Sequence, residues 1–303
     1  MRILTRESTT TDQQEILSAG RPRSPAGDVV QRFVRNKLAL AGLVIVALLC
    51  LTAIAAPVIA PKDPAASTLG DTRATPSGEY LLGADEIGRD ILSRIIYGSR
   101  VALLVAVLAI GAATLVGGGI GLISGFAGGW VDEVLMRLMD ILLAFPYLLL
   151  AIALVSALGS GVEKTTIAVA IWAVPNFARV VRGQVLTIKE RDYVLAARAL
   201  GARMPRLMLI HVTPNVIAPI IVFASLYMAN AILLEAALSF LGLGVQPPQA
   251  SWGLMVASGR DFLRVAPHVT TFPGIAIMIT VLGFNLLGDG LRDAMDPKLR
   301  NRF

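Results

Sequence analysis

The run from Leu38 to Ala60 contains no Asp, Glu, Lys, Arg or His. At about 1.5 Å of helical rise per residue, it matches the roughly 20 apolar residues that cross the hydrocarbon of a bilayer. Backbone groups at that depth must be satisfied inside their own segment, so such a run can only be a helix. Five more runs of comparable character follow: Val101 to Ile123, Leu135 to Leu158, Thr165 to Val181, Pro214 to Leu238, and Val269 to Leu287. The expected fold is therefore all-α, a polytopic membrane protein with six transmembrane helices. Apolar residues at 55% and a mean hydropathy of +0.70 place the whole chain in that class. The single cysteine, Cys50, lies inside the first run, which excludes a disulfide framework and a cysteine-based metal site. The net charge of +6 is no nucleic-acid footprint, because the basic residues cluster beside apolar segments.

The polar intervals predict the topology. The tail from Met1 to Asn36 is rich in Ser, Thr, Arg and Gln, and reads as mostly disordered. Arg32, Arg35 and Lys37 abut the first run and place the N-terminus in the cytoplasm. Residues 37–60 are too long and start too late for a cleaved signal peptide, so they read as a retained anchor. Residues 61–100 form an external loop, in which LGADEIGRDILSRIIYGSR reads as a loop leading into an amphipathic helix at the membrane surface. Residues 101–290 form the transmembrane core. Within it, Gly117, Gly118, Gly119 and Gly121 make a small-residue face for close helix packing. Ser124 to Glu133 reads as a short inner loop, and Arg137 and Asp140 lie three apart on one helix face, placed to pair. Ser239 to His268 reads as a second external segment. Residues 291–303 return Arg292, Lys298, Arg300 and Arg302 to the cytoplasm.

The long polar interruption of the second half is KERDYVLAARALGARMPRLMLIHVTPN, Lys189 to Asn215, inside a loop of residues 183–211. From Arg179 to Arg206 it carries seven Lys and Arg against two acids. Thr187-x-x-Glu190 reads as a capping box. Glu190 and Asp192 suit the positive end of a helix dipole. The helix then runs from Tyr193 to Leu200, Gly201 supplies a left-handed C-cap, and Pro205 belongs to the first turn of a second short helix. Ala196, Ala197, Gly201 and Pro214 fall at the spacing E-A-A-x3-G-x9-I-x-L-P, and so resemble the loop by which ABC-importer permeases dock into their ATPase subunits. Leu195 stands where that pattern has Glu, His211 where it has Ile, and Thr213 where it has Leu.

Further strings carry the resemblance along roughly residues 31–303. RNKLALAGLVIV, LGADEIGRD, LMDILLAFP, SFLGLGVQPPQASWG and FNLLGDGLRDAMDPKLR look like the C-type permease of dipeptide, oligopeptide and nickel ABC importers. The resemblance implies a type I ABC importer permease fold in the cell inner membrane. It implies a heterodimer with a B-type permease, two cytoplasmic ATP-binding subunits, and an external solute-binding protein. It also implies a non-catalytic subunit, with ATP and Mg held by the partner subunits and no cofactor here. The coupling surface would be Asp192, Tyr193, Leu195, Ala196, Ala197, Arg198 and Gly201, with Leu195 as an apolar knob between Arg191 and Arg198.

Elimination among the residues agrees. Gly159-Ser-Gly-Val-Glu-Lys-Thr would need Gly where Glu163 stands to make a phosphate loop. No chain of ionisable residues crosses the midplane, which disfavours a proton-driven carrier. His211 and His268 are a whole span apart, so metal ligation by both is not expected. Asn230 and Glu235, inside the fifth run, are candidates for lining the translocation pathway. The alternative reading is a stand-alone membrane channel or receptor without an ATPase partner.

Overall fold

In a computed structural model, residues 25–295 are described, and the terminal segments 1–24 and 296–303 lie outside the described residues. Most of the expected disordered tail and of the basic C-terminal tail therefore falls beyond them. Helix α1 (Pro25–Arg35) is followed after one residue by α2 (Lys37–Ile59). Asn36 makes that junction, because its Oδ1 accepts from the N–H groups of Leu38 and Ala39 at 3.0 and 3.2 Å.

Next come α3 (Ile91–Ala127), α4 (Gly129–Leu143), α5 (Tyr147–Leu158), α6 (Val162–Ile188) and α7 (Asp192–Ala199). Helix α8 (Met204–Phe240), the short α9 (Trp252–Gly259) and α10 (His268–Met295) complete the chain. Helices α2, α3, α8 and α10 are each long and apolar enough to cross a membrane, and α4 with α5 makes a fifth crossing if the bent pair is one span. Helix α6 is 27 residues long but carries Glu163, Lys164, Arg179 and Arg182, and falls short of the same apolar character. Six such helices are thus not reached by length and composition.

Three local expectations are corrected. The apolar run Leu135 to Leu158 is not one helix: α4 and α5 meet at 90°. Pro146 lies at the break, where it has no N–H to continue the ladder and disfavours helical geometry in the residue before it. The inner loop Ser124 to Glu133 is not a loop. Helix α3 runs to Ala127, and the break is Gly128 alone, at φ +65°. The amphipathic stretch before Val101 is not a separate surface helix but the first turns of the 37-residue α3.

Asp90 starts that helix, its carboxylate accepting from Ser93 N at 2.8 Å and Ser93 Oγ at 2.6 Å. The loop ahead of it is pinned by charge. Asp85 accepts from Arg89 Nε at 2.6 Å and lies 3.5 Å from the Nε of the fully buried Arg94, whose Nη1 donates to Pro64 O. A string of charged residues is here a folded corner, not a solvated face.

The small-residue face behaves as expected. Helices α3 and α6 run parallel and share a seam in steps of four residues. A Cβ on Gly117 would run into the Val174 carbonyl, one on Gly121 into the Ala178 carbonyl, and one on Gly125 into Val185. Gly119, off the seam, faces open space. Helices α2 and α10 cross antiparallel by the same device, with Gly42 against the backbone of Gly283 and Leu287.

The largest core unites α3, α5, α6 and α8 around Ile110, Val155, Phe177 and Leu234. Trp172, Tyr227, Phe223 and Phe177 stack through it at centroid distances of 4.3 to 5.5 Å. The segment after α8 folds back on the bundle. Trp252 is buried and donates from Nε1 to Ile95 O at 2.9 Å.

Candidate coupling site

Helix α7 lies between the ends of α6 and α8 and has a buried and an exposed side. Val194 is fully buried, in a cluster with Val181, Val185, Ile188, Leu207, Val212 and Val216. Ala197 is half-buried against the same cluster. Asp192, Tyr193, Ala196 and Arg198 are exposed, and so are Leu195 at 41% and Leu200 at 90%. The residue that seats the helix is thus Val194, which escaped the reading of the sequence because it is one apolar residue among several. The valines of α6 at 181 and 185, four apart, were the available signal for its receptor.

The capping box is corrected. Thr187 is still inside α6, where its Oγ1 donates to Gly183 O at 3.1 Å, the usual back-bond of a mid-helix Thr. The N-cap of α7 is Arg191, with no side-chain cap. The C-terminal cap is as expected. Gly201 has φ +85°, its N–H donates to Arg198 O at 2.9 Å, and Ala202 N–H donates to Ala197 O at 3.1 Å. Those two bonds are the Schellman pair.

The second short helix is also corrected. It begins at Met204 with Pro205 in its first turn, but it does not stop. Residues Leu207–Val212 form a π-helical stretch that runs straight into the long apolar helix. The wider turn brings Thr213 Oγ1 onto Met208 O, five residues back, at 2.9 Å. It also relieves the place where Pro214, lacking an N–H, would break a regular α-helix.

Ion pairs join the corner of α3 and α4 to α6. Arg182 meets Asp132 with two bonds, Nε to Oδ1 at 2.5 Å and Nη2 to Oδ2 at 2.6 Å, and Ser124 Oγ donates to the same carboxylate. Arg179 pairs with Asp140 at 2.5 Å, so Asp140 is taken by α6 and not by Arg137. Lys189 Nζ donates to Gly125 O in the last turn of α3, at 3.0 Å. Arg198 lies 5.8 Å from the Phe126 ring centroid. The ends of α3, α4, α6, α7 and α8 are therefore one cross-linked unit. Its only long exposed apolar side chains on α7 are Leu195 and the tyrosine ring of Tyr193, with Leu200 just past the end.

The other sequence candidates lie elsewhere. Asn230 is exposed on α8, its Nδ2 donating to Leu226 O at 3.3 Å. Glu235 is buried, and its Oε1 accepts from Ser239 Oγ at 2.7 Å and Ser251 Oγ at 2.9 Å, tying α8 to the start of α9.

The bundle thus carries one broken span and a short helix slung between two long ones. The structure matches one from the inward-facing methionine ABC transporter MetNI, with a TM-score of 0.56 at 15% identity, covering 67% of this chain and 97% of that one. Residues 117–301 match the binding-protein-dependent transport system inner membrane component, and residues 24–76 match the N-terminal transmembrane domain of oligopeptide transport permease C. The chain belongs to this family of binding-protein-dependent transport permeases.

Similar proteins include the dipeptide transport system permease protein DppC of Alkalihalophilus pseudofirmus, 44% identical over 92% of this chain and 91% of that protein. The di/tripeptide transport system permease protein DppC of Pseudomonas aeruginosa is 46% identical, over 92% and 94%. The glutathione transport system permease protein GsiD of Pectobacterium atrosepticum is 43% identical, over 92% and 93%. A stand-alone channel or receptor is the reading these comparisons do not favour.

Proposed function

We propose that the chain forms half of the transmembrane pathway of an ATP-driven importer of short peptides or peptide-like solutes. The other half is a B-type permease, the engine is a pair of cytoplasmic ATP-binding subunits, and an external binding protein delivers the solute. The relatives named for dipeptides, di/tripeptides and glutathione support the solute class. ATP and Mg act in the partner subunits. The protein lies in the inner membrane with six spans, α6 and the bent α4–α5 pair among them, and with both termini and α7 on the cytoplasmic side. Basic residues at 32, 35 and 37 and along residues 179–206 support that orientation.

One observation carries the coupling role: α7 is seated by Val194 yet turns Leu195 and Leu200 outward beside the exposed Arg191 and Arg198. Asp192, Tyr193, Leu195, Ala196, Arg198 and Gly201 form the surface that the ATPase grips, while Ala197 packs on the seated side with Val194. Its closure moves α7, and the unit cross-linked to α7 rocks between inward- and outward-facing states. Asn230 presents a polar group toward the pathway from the exposed face of α8, and Glu235 holds the α8–α9 corner beside it.

Affinity purification of the tagged permease from cells expressing the whole operon-like set of subunits tests this. Co-purification of two ATPases and a second permease is expected. A lone homo-oligomer that conducts ions in planar bilayers would establish the alternative.

A further inference from the structure

A cavity of about 840 Å³ lies at the end opposite α7, within the size range of small-molecule sites. Tyr97, Arg100, Leu104 and Leu108 form its wall on one face of α3. From Tyr97 to Leu108 the helix carries it about 16 Å along the span. Its rim is Glu163 and Lys164 at the start of α6, with Gln249 opposite.

The rim charges are unusual for their setting. The other acids at this end have partners. Glu79 has Lys62, Asp85 and Glu86 share Arg89, Asp261 has Arg260, and Asp71 takes the Tyr80 hydroxyl. Asp63 and Asp90 accept from backbone N–H groups. Glu163 has no ion-pair or side-chain hydrogen-bond partner among the described residues. Arg100 has none beyond the Tyr97 ring at 5.9 Å, and Lys164 has none. Two cations and one anion of low commitment thus stand at the mouth of an apolar-walled channel.

We infer that this cavity is an outer vestibule that takes the zwitterion of a short peptide. Arg100 and Lys164 receive the C-terminal carboxylate, Glu163 receives the N-terminal ammonium, and side chains pass along Leu104 and Leu108. A guanidinium suits a carboxylate by its paired donors. Opposite charges at both ends of the solute reject neutral solutes and lipid tails, which the apolar wall alone would admit. Within the string that fails as a phosphate loop, Ser160 to Lys164 form one lip of the vestibule. The inference rests on the peptide-import reading.

The test uses the complete complex in proteoliposomes, with Gln249→Cys in a Cys50→Ser background. An impermeant thiosulfonate reports access to the rim during ATP-driven uptake of trialanine delivered by the binding protein. Trialanine is expected to slow labelling several-fold. Arg100→Gln and Glu163→Gln should each abolish that protection and raise the KM for uptake about tenfold, a loss of one charged contact, with the maximal rate kept. The control Lys62→Gln should leave both unchanged. Arg100 and Glu163 are exposed, so folding is not at stake in either variant.

Labelling that trialanine never slows, in a complex that imports it, overturns the vestibule and leaves the peptide reading standing. A rim that never labels, or that cross-links to the second permease, shows the cavity filled by that subunit and also overturns it. Absence of trialanine uptake by the unmodified complex sinks the peptide reading and the vestibule together.

Discussion

Val194→Ala and Leu195→Ala remove neighbouring apolar side chains from the same eight-residue helix, yet they should fail in different ways. Val194 is fully buried among the valines and isoleucine of α6 and the start of α8. Losing two methyl groups at about 0.8 kcal/mol each removes about 1.6 kcal/mol, before any cavity term. That is about a 15-fold change in the ratio of seated to unseated α7. An isolated helix of this length is not stable by itself, so the loss falls on α7 and not on the spans. The expected result for Val194→Ala is normal membrane insertion, ATPases retained on purification, and solute-stimulated ATP hydrolysis weakened because the grip no longer reaches α6. Leu195 is exposed, so Leu195→Ala should leave the isolated permease as stable as before and reduce ATPase retention. Leu195→Glu should reduce it further, by desolvating a carboxylate. Hydrogen exchange of α7 amides in the purified permease separates the two: faster for Val194→Ala, unchanged for Leu195→Ala. Identical exchange in both variants, or ATPase retention that rises in Leu195→Glu, would refute the division into a seated and a gripping face.

Gly121→Leu should block assembly of the bundle, because overpacking a closed seam costs about 1–3 kcal/mol or more, whereas Gly119→Leu, facing open space, should assemble normally; detergent gel filtration reads both. Gly201→Val puts a β-branched residue at φ +85°, at about 1 kcal/mol of backbone strain, and should lower solute-stimulated ATPase activity without harming insertion. A cysteine replacing Ser77 should react with an impermeant thiol reagent in intact cells, and one replacing Leu200 only after lysis, both in a Cys50→Ser background. Equal labelling of the two in intact cells would sink the proposed orientation.

Four of the six expected spans were legible as single helices, because membrane-length apolar runs have few other solutions, and the C-cap because only glycine is at ease with a left-handed turn. The break at Pro146 was hidden by its surroundings, since apolar residues continue on both sides and four other prolines of the described chain, at 57, 175, 219 and 273, sit inside helices without breaking them. The Asp132–Arg182 pair spans fifty residues and leaves no local trace. Read beside Asp140, eight residues on, and Arg179, three residues back, it is a matched pair of faces that only folding brings together. Thr187 and Glu190 have the spacing of a capping box, but packing carried α6 one turn further and consumed the cap. Placement of the proposed coupling residues came from the pattern of Ala196, Ala197 and Gly201. Which side of α7 is seated came only from the receptor formed by α6 and α8.

The glycine seam between α3 and α6 also limits how the bundle can deform. Where the α3 backbone lies against the α6 backbone at 117 and 121 and against Val185 at 125, neither helix can roll or slide without a collision at every fourth residue. The two are kinematically a single strut, extended sideways by the paired charges at 132 and 182. Compliance must then reside where nothing interlocks, and the right-angled joint at residues 144–146 is such a place. Any shape change that opens one mouth of the protein while shutting the other would be expressed as bending there, with the strut carried through intact.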